Sequence, residues 1–140
     1  HFDGALKHLP HRDAAFVAAS TALQETVQRF RNRMGWKFKW VSCVGPEFNR
    51  DFGVSFTAEP QDYTYNFRRQ TGTPMTELPG ISVFRRDGNG AVFHTYSSYG
   101  RGLDRFIGVY HLTDILPRGR DEADLDYGMQ WVRLHDAYDG

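Results

Sequence analysis

Between Leu78 and Tyr99, apolar and polar positions alternate in two runs, Ile81–Phe84 and Ala91–Tyr96, separated by the charged, glycine-rich stretch Arg85–Gly90. A period of two predicts paired strands. Asp87-Gly88 and Asn89-Gly90 offer the positive-φ positions a tight reversal needs, so a β-hairpin is expected. Ile81 and Val83 oppose Ser82 and Phe84, while Val92, His94 and Tyr96 oppose Phe93, Thr95 and Ser97. Large groups on both faces predict a sheet covered on both sides. Downstream, Leu103, Phe106, Ile107 and Tyr110 recur at i, i+3, i+4, i+7, one apolar stripe of a helix that lies back on the strands. Pro79 stands just before the first strand, where its missing N–H does no harm and a cis bond is allowed.

The N-terminal half carries a different rhythm. Phe2, Ala5, Leu6 and Leu9 have helical spacing, and Pro10 is expected to end that helix. Ala14–Ser20 is a short apolar run, predicted as a buried parallel strand. Thr21-x-x-Gln24 has the form of a capping box and opens a helix with the stripe Leu23, Val27, Phe30, Met34. Arginines gather in its last turns, where the dipole is negative, and Gly35 is placed to close it in the left-handed conformation. Phe38–Ser42 returns as a strand, completing a β-α-β unit. Gly45-Pro46 is expected to start a helical turn with Pro46 in its first position and Phe48, Phe52 and Val54 pointing inward. From Thr57 to Thr76 the pattern fades, which predicts a surface excursion with one extended piece at Tyr63–Phe67. After Leu116-Pro117-Arg118-Gly119, residues 117–140 read as a C-terminal extension.

Composition narrows the classes. The chain has 140 residues, one domain by length, with 40% hydrophobic residues and an aromatic share of 15% that predicts a ring-rich core. Lys plus Arg and Asp plus Glu are each 17, so no net field draws the chain to nucleic acid or a membrane. The local excesses, Arg29, Arg31, Arg33, Lys37 and Lys39 on one side and Asp121, Glu122, Asp124 and Asp126 on the other, are expected to be solvated faces. No apolar run reaches bilayer length and no signal peptide is visible. One cysteine excludes an internal disulfide and fits a reducing, cytoplasmic compartment.

Leu-Pro-Gly, apolar strand, charged glycine turn, apolar strand and helix, in that order, resemble the C-terminal half of the thioredoxin fold. The segments GWKFKWVSCVGPEFNRDFGVSF, ELPGISVFRRDGNGAVFHTYSSYGRGLD, GVYHLTDILPRGRDE and WVRLHDAYDG resemble the bacterial DUF899 family over nearly the whole chain. That family is described as predicted dithiol-disulfide oxidoreductases of undetermined substrate. The resemblance implies an α/β, thioredoxin-like fold with a mixed sheet and helices on both faces. It also implies a central strand and a Cys-x-x-Cys motif ahead of the first helix, which places both before His1. Without that strand two sheet edges would lie open, and the 140 residues alone are not expected to form a stable monomer. The implied activity is thiol-disulfide exchange, or a related peroxidase-like reaction, on a protein or small-molecule disulfide or peroxide. The alternative is a non-catalytic binding or structural module. No cofactor is implied, and a homodimer through the C-terminal segment is left open.

Among candidate site residues, Pro79 with Leu78 and Gly80 leads, because in thioredoxin-like proteins a cis-proline loop receives substrate backbone. Cys43 is the sole thiol and needs a lowered pKa to act, but its place after an edge strand favours a structural role. His94 could project toward the same face as Tyr96; a core or rim histidine is the ordinary reading. Trp36, Trp40, Tyr96 and Tyr99 could line a pocket, although strand aromatics are usually core. His8, His11, His94, His111 and His135 lack ligand spacing, so no metal is expected.

Overall fold

The computed structural model describes residues 1–45 and 47–138; the expectation for Pro46 lies outside them. The chain divides into two compact units, one made of His1–Ser42 with Arg105–Gly140 and the other of Cys43–Asp104.

In the first unit, the predicted N-terminal α-helix is two 3₁₀ turns, Asp3–Lys7 and Leu9–Arg12. Pro10 does not end it; it sits inside the second turn. A nine-residue segment ending in proline is too short to sustain α hydrogen bonding, and the tighter i→i+3 pattern survives in its place. Asp3 Oδ1 accepts from the backbone N–H of Lys37 and Phe38 at 3.0 and 3.3 Å, tying the N-terminus to the entry of the second strand. The β-α-β unit forms, but its first strand is shorter than Ala14–Ser20 and is not buried, with Val17 47% exposed. Strand β1 (Val17–Ser20) pairs in parallel with β2 (Lys39–Ser42), and helix α1 (Gln24–Met34) connects them.

The capping box does not form. Helix α1 begins at Gln24 without a side-chain cap, and the Gln24 amide oxygen accepts from Ser42 N–H at 3.2 Å. Leu23 therefore lies outside the helix and is exposed, while Val27 is fully buried, worth about 2 kcal/mol. Gly35 closes the helix at φ 67°, with Trp36 N–H reaching back to Arg31 O at 3.1 Å. Phe2, Phe16, Phe38, Trp36, Trp40 and Phe30 form a chain of ring contacts with centroids 4.6 to 5.9 Å apart along Phe2–Phe16–Phe38–Trp36–Trp40 and Trp40–Phe30. The expected post-hairpin helix is broken: a 3₁₀ stretch covers Gly100–Phe106 and helix α3 only Gly108–Thr113, with Ile107 extended between them. The four-residue stripe therefore never lies on one helix.

In the second unit, helix α2 (Phe48–Asp51) leads into Val54–Phe56, and the stretch expected as a formless excursion contains a hairpin. Strands β3 (Gln61–Tyr65) and β4 (Arg68–Gly72) are antiparallel, with Tyr65 opposite Arg68. The expected extended piece thus ends at Tyr65, and Asn66 and Phe67 make the turn at φ 52° and 60°. That backbone ordinarily calls for glycine at the second position, so no Asn-Gly announced it. The predicted hairpin is β5 (Gly80–Arg86) with β6 (Val92–Tyr99). Of its turn glycines, only Gly90 adopts a positive φ, 88°. Neither face is fully covered: Val83, Phe84, Val92, Phe93 and Tyr96 are all exposed. Among the described residues the strands associate in three separate pairs, so the architecture is α/β with small sheets.

Candidate functional site

The Leu78-Pro79-Gly80 loop is fixed from both sides. Before it, Phe56 N–H donates to Thr76 O at 2.9 Å and Leu78 N–H to Val54 O at 2.8 Å, and Ser55 bridges Glu77. After it, Tyr65 spans the loop: its hydroxyl donates to Pro79 O at 2.7 Å and accepts from Gly100 N–H at 2.8 Å. Burial raises the Tyr65 phenol above its ordinary pKa, so it remains the neutral donor the Pro79 carbonyl requires. A side chain at Gly80 would stand 2.9 Å from Val54 Cγ1 and 3.0 Å from the Tyr99 ring, so only glycine lets Tyr99 close over the strand. The Leu78–Pro79 bond is trans, as is every described peptide bond. The cis geometry implied by the thioredoxin resemblance is not adopted.

Cys43 enters this region through its neighbours. It is 7% exposed and its thiol donates to Asn49 Oδ1 at 3.3 Å. Asn49 Nδ2 donates to Glu77 Oε2 at 3.0 Å, and Ser55 Oγ to Glu77 Oε1 at 2.6 Å. Glu77, the residue before Leu78, thus anchors a four-residue polar network linking α2 to the loop. Burial, then the Glu77 charge, push the thiol pKa up, opposite to the shift an attacking cysteine needs.

A bulge interrupts the strand between His94 and Tyr96. Val83 pairs with Tyr96 and Phe84 with His94, leaving Thr95 as the extra residue and breaking the expected alternation. His94 Nε2 then lies 2.9 Å from the Tyr96 carbonyl and 2.7 Å from Ser97 Oγ, which is 2.8 Å from Ser82 Oγ. This looks like a serine-histidine pair, but a carbonyl can only accept. The Tyr96 contact is a hydrogen bond only in the tautomer with Nε2 protonated, and in that tautomer Nε2 has no lone pair to take a proton from Ser97. Phe52 and Phe84 pack on the ring at 5.2 and 5.4 Å. Trp40 belongs to the other unit and donates its indole N–H to Ser20 at 3.0 Å. Trp36 and Trp40 are half-buried there, their rings 5.8 Å apart, and no group of three metal-ligating residues occurs among the described residues.

A family model for a bacterial protein of unknown function, DUF899, matches residues 1–138. The chain belongs to the DUF899 family. No curated protein and no solved structure matches it. Among the described residues of this DUF899 chain, no helix is long and apolar enough to cross a membrane.

One cluster in the DUF899 chain contradicts the solvated reading of its acidic stretch. Glu122 Oε1 accepts from Tyr110 OH at 2.7 Å, Met129 N–H at 2.9 Å and Trp131 Nε1 at 3.0 Å. Tyr110 is fully buried on α3, with the Arg120 guanidinium 3.9 Å above its ring and Arg120 held in turn by both oxygens of Asp114. Nothing in DEADLD separates Glu122 from its neighbours. The nearest sequence signal is the pair of donors, Tyr110 and Trp131, that needed a buried acceptor.

Proposed function

We propose that residues 1–140 supply the scaffold and the substrate-presenting loop of a thioredoxin-like thiol-disulfide oxidoreductase whose substrate is a protein or small-molecule disulfide or peroxide. The supporting observation is topological. A parallel β-α-β pair is followed by an antiparallel hairpin that opens on Leu78-Pro79-Gly80, in a chain of the DUF899 family. In this reading a cysteine thiolate outside these 140 residues attacks the substrate sulfur or peroxide oxygen. The leaving thiolate or alkoxide takes a proton, and a second thiol resolves the mixed disulfide or sulfenic acid. The two electrons come from the dithiol, which a donor thiol must later restore. Because Leu78 N–H is held by Val54 O, substrate pairing there displaces that carbonyl.

The buried Cys43 favours a second reading, a non-catalytic thioredoxin-like binding or structural module. Thiol counting on the protein from its natural source, denatured and reduced, separates the two when joined to an assay with a small aromatic disulfide. Three alkylated thiols and thiol-dependent turnover support the oxidoreductase. One thiol and no turnover would leave only the binding module.

A further inference from the structure

The hairpin turn holds a chemical feature that neither reading uses. We infer that Asn89-Gly90 is a self-modifying site, converting Asn89 to aspartate and isoaspartate, and that Asp87 is the brake that sets its rate. Asn89 is exposed at the turn, and among the described residues its carboxamide has no hydrogen-bond partner. Gly90 follows with no side chain to shield its nitrogen, and a Cβ there would meet nothing nearer than the Arg86 guanidinium at 3.5 Å. The other asparagines, Asn32, Asn49 and Asn66, precede Arg33, Arg50 and Phe67, whose side chains crowd the corresponding nitrogen.

In the reaction, Gly90 N attacks Asn89 Cγ. The new C–N bond closes a succinimide as the amide C–N bond breaks, and the Gly90 proton leaves with ammonia. Water then opens the ring at either carbonyl, giving aspartate or isoaspartate. The attacking and attacked atoms are adjacent in the chain, so the barrier is largely one of orientation.

Orientation is what Asp87 controls. Its carboxylate Oδ1 accepts from Asn89 N–H and Ala91 N–H, both at 2.9 Å. Its carbonyl accepts from Gly90 N–H at 3.1 Å, and its own N–H donates to Ala91 O at 2.9 Å. The hydrogen of the nitrogen that must attack is therefore engaged by the Asp87 carbonyl, on the longest of these four bonds. Removing the carboxylate frees Asn89 and Ala91 and lets the turn sample the reactive geometry. Loss of the two carboxylate hydrogen bonds corresponds to roughly a thirtyfold change in the open population. Once formed, isoaspartate lengthens the backbone by a methylene and adds a charge two residues from Asp87, which weakens the turn.

The test is a time course in mildly alkaline buffer. Trypsin releases Asp87–Arg101, in which Asn89 is the sole asparagine. Mass spectrometry follows its conversion to the aspartyl mass, and isoaspartyl methyltransferase labelling identifies the isomer. Native protein should modify Asn89 ahead of the other three asparagines, urea-unfolded protein faster, Asp87→Ala about thirtyfold faster than native, and Asn89→Gln not at all in this peptide. Either of two results overturns the inference: Asn89 intact while another asparagine converts, or native, unfolded and Asp87→Ala protein reacting at one rate.

Discussion

Replacing Glu122 by glutamine changes one atom and removes the charge on which three donors converge. Hydrogen bonds to a charged acceptor are each worth about 1.5–3 kcal/mol, against about 1 kcal/mol for a neutral one. Glutamine can keep its oxygen in place and retain weaker versions of the bonds from Tyr110, Met129 and Trp131. The loss is then near 1 kcal/mol per bond, tempered because the three share one oxygen, so about 2 kcal/mol in all is expected. Glu122→Ala removes the acceptor shared by the hydroxyl of the fully buried Tyr110 and two further donors, and about 4 kcal/mol is expected. All three tryptophans, Trp36, Trp40 and Trp131, lie in the first unit, so urea titration by tryptophan fluorescence reads that unit specifically. For a chain of this size 2 kcal/mol corresponds to a melting shift of roughly 6–10 °C. A double-mutant cycle with Tyr110→Phe should show coupling of about 1 kcal/mol. Glu122→Gln within 0.5 kcal/mol of the wild type on this scale, with no coupling to Tyr110, would refute the hub.

Three further outcomes follow from the geometry. Cys43 in the native protein should alkylate more slowly at neutral pH than a free model thiol, because burial and Glu77 keep it protonated; a faster rate would contradict this. Its raised pKa also means that its contribution to stability is complete below the ordinary thiol range and is lost as pH rises through the folded value. Gly80→Ala should destabilise the second unit by about 1–3 kcal/mol, as Val54 and Tyr99 are forced aside, measured by chemical denaturation followed through tyrosine signals. Asp114, whose carboxyl the Arg120 hydrogen bond holds below the usual range, contributes stability above the ordinary carboxylate pKa that is lost as pH falls through the folded value. An acid titration of Asp114→Asn should accordingly be shallower than that of the wild type.

Local pattern alone reached the β-α-β unit, the Gly35 stop and the Leu78–Tyr99 hairpin. Each rests on short-range physics: a helical stripe around Val27, a left-handed glycine, and alternating residues about a glycine turn. It also placed Leu78, Pro79 and Gly80 at the head of a strand, while the likeness of whole segments, not the pattern, pointed to the DUF899 family. What it missed depends on partners distant in sequence. Gln24 abandons the capping box because Ser42 lies within reach, and Asn66-Phe67 turns without the expected glycine while the ring of Phe67 packs against Tyr99. A bulge at Thr95 cancels the alternation that had His94 and Tyr96 sharing a face. Glu122 is indistinguishable from Asp121 and Asp124 until Tyr110 and Trp131 are brought to it. Sequence fixes which groups can donate, accept or turn; only tertiary contact decides which of them are removed from water, and burial is what gives a hydrogen bond or a charge its weight.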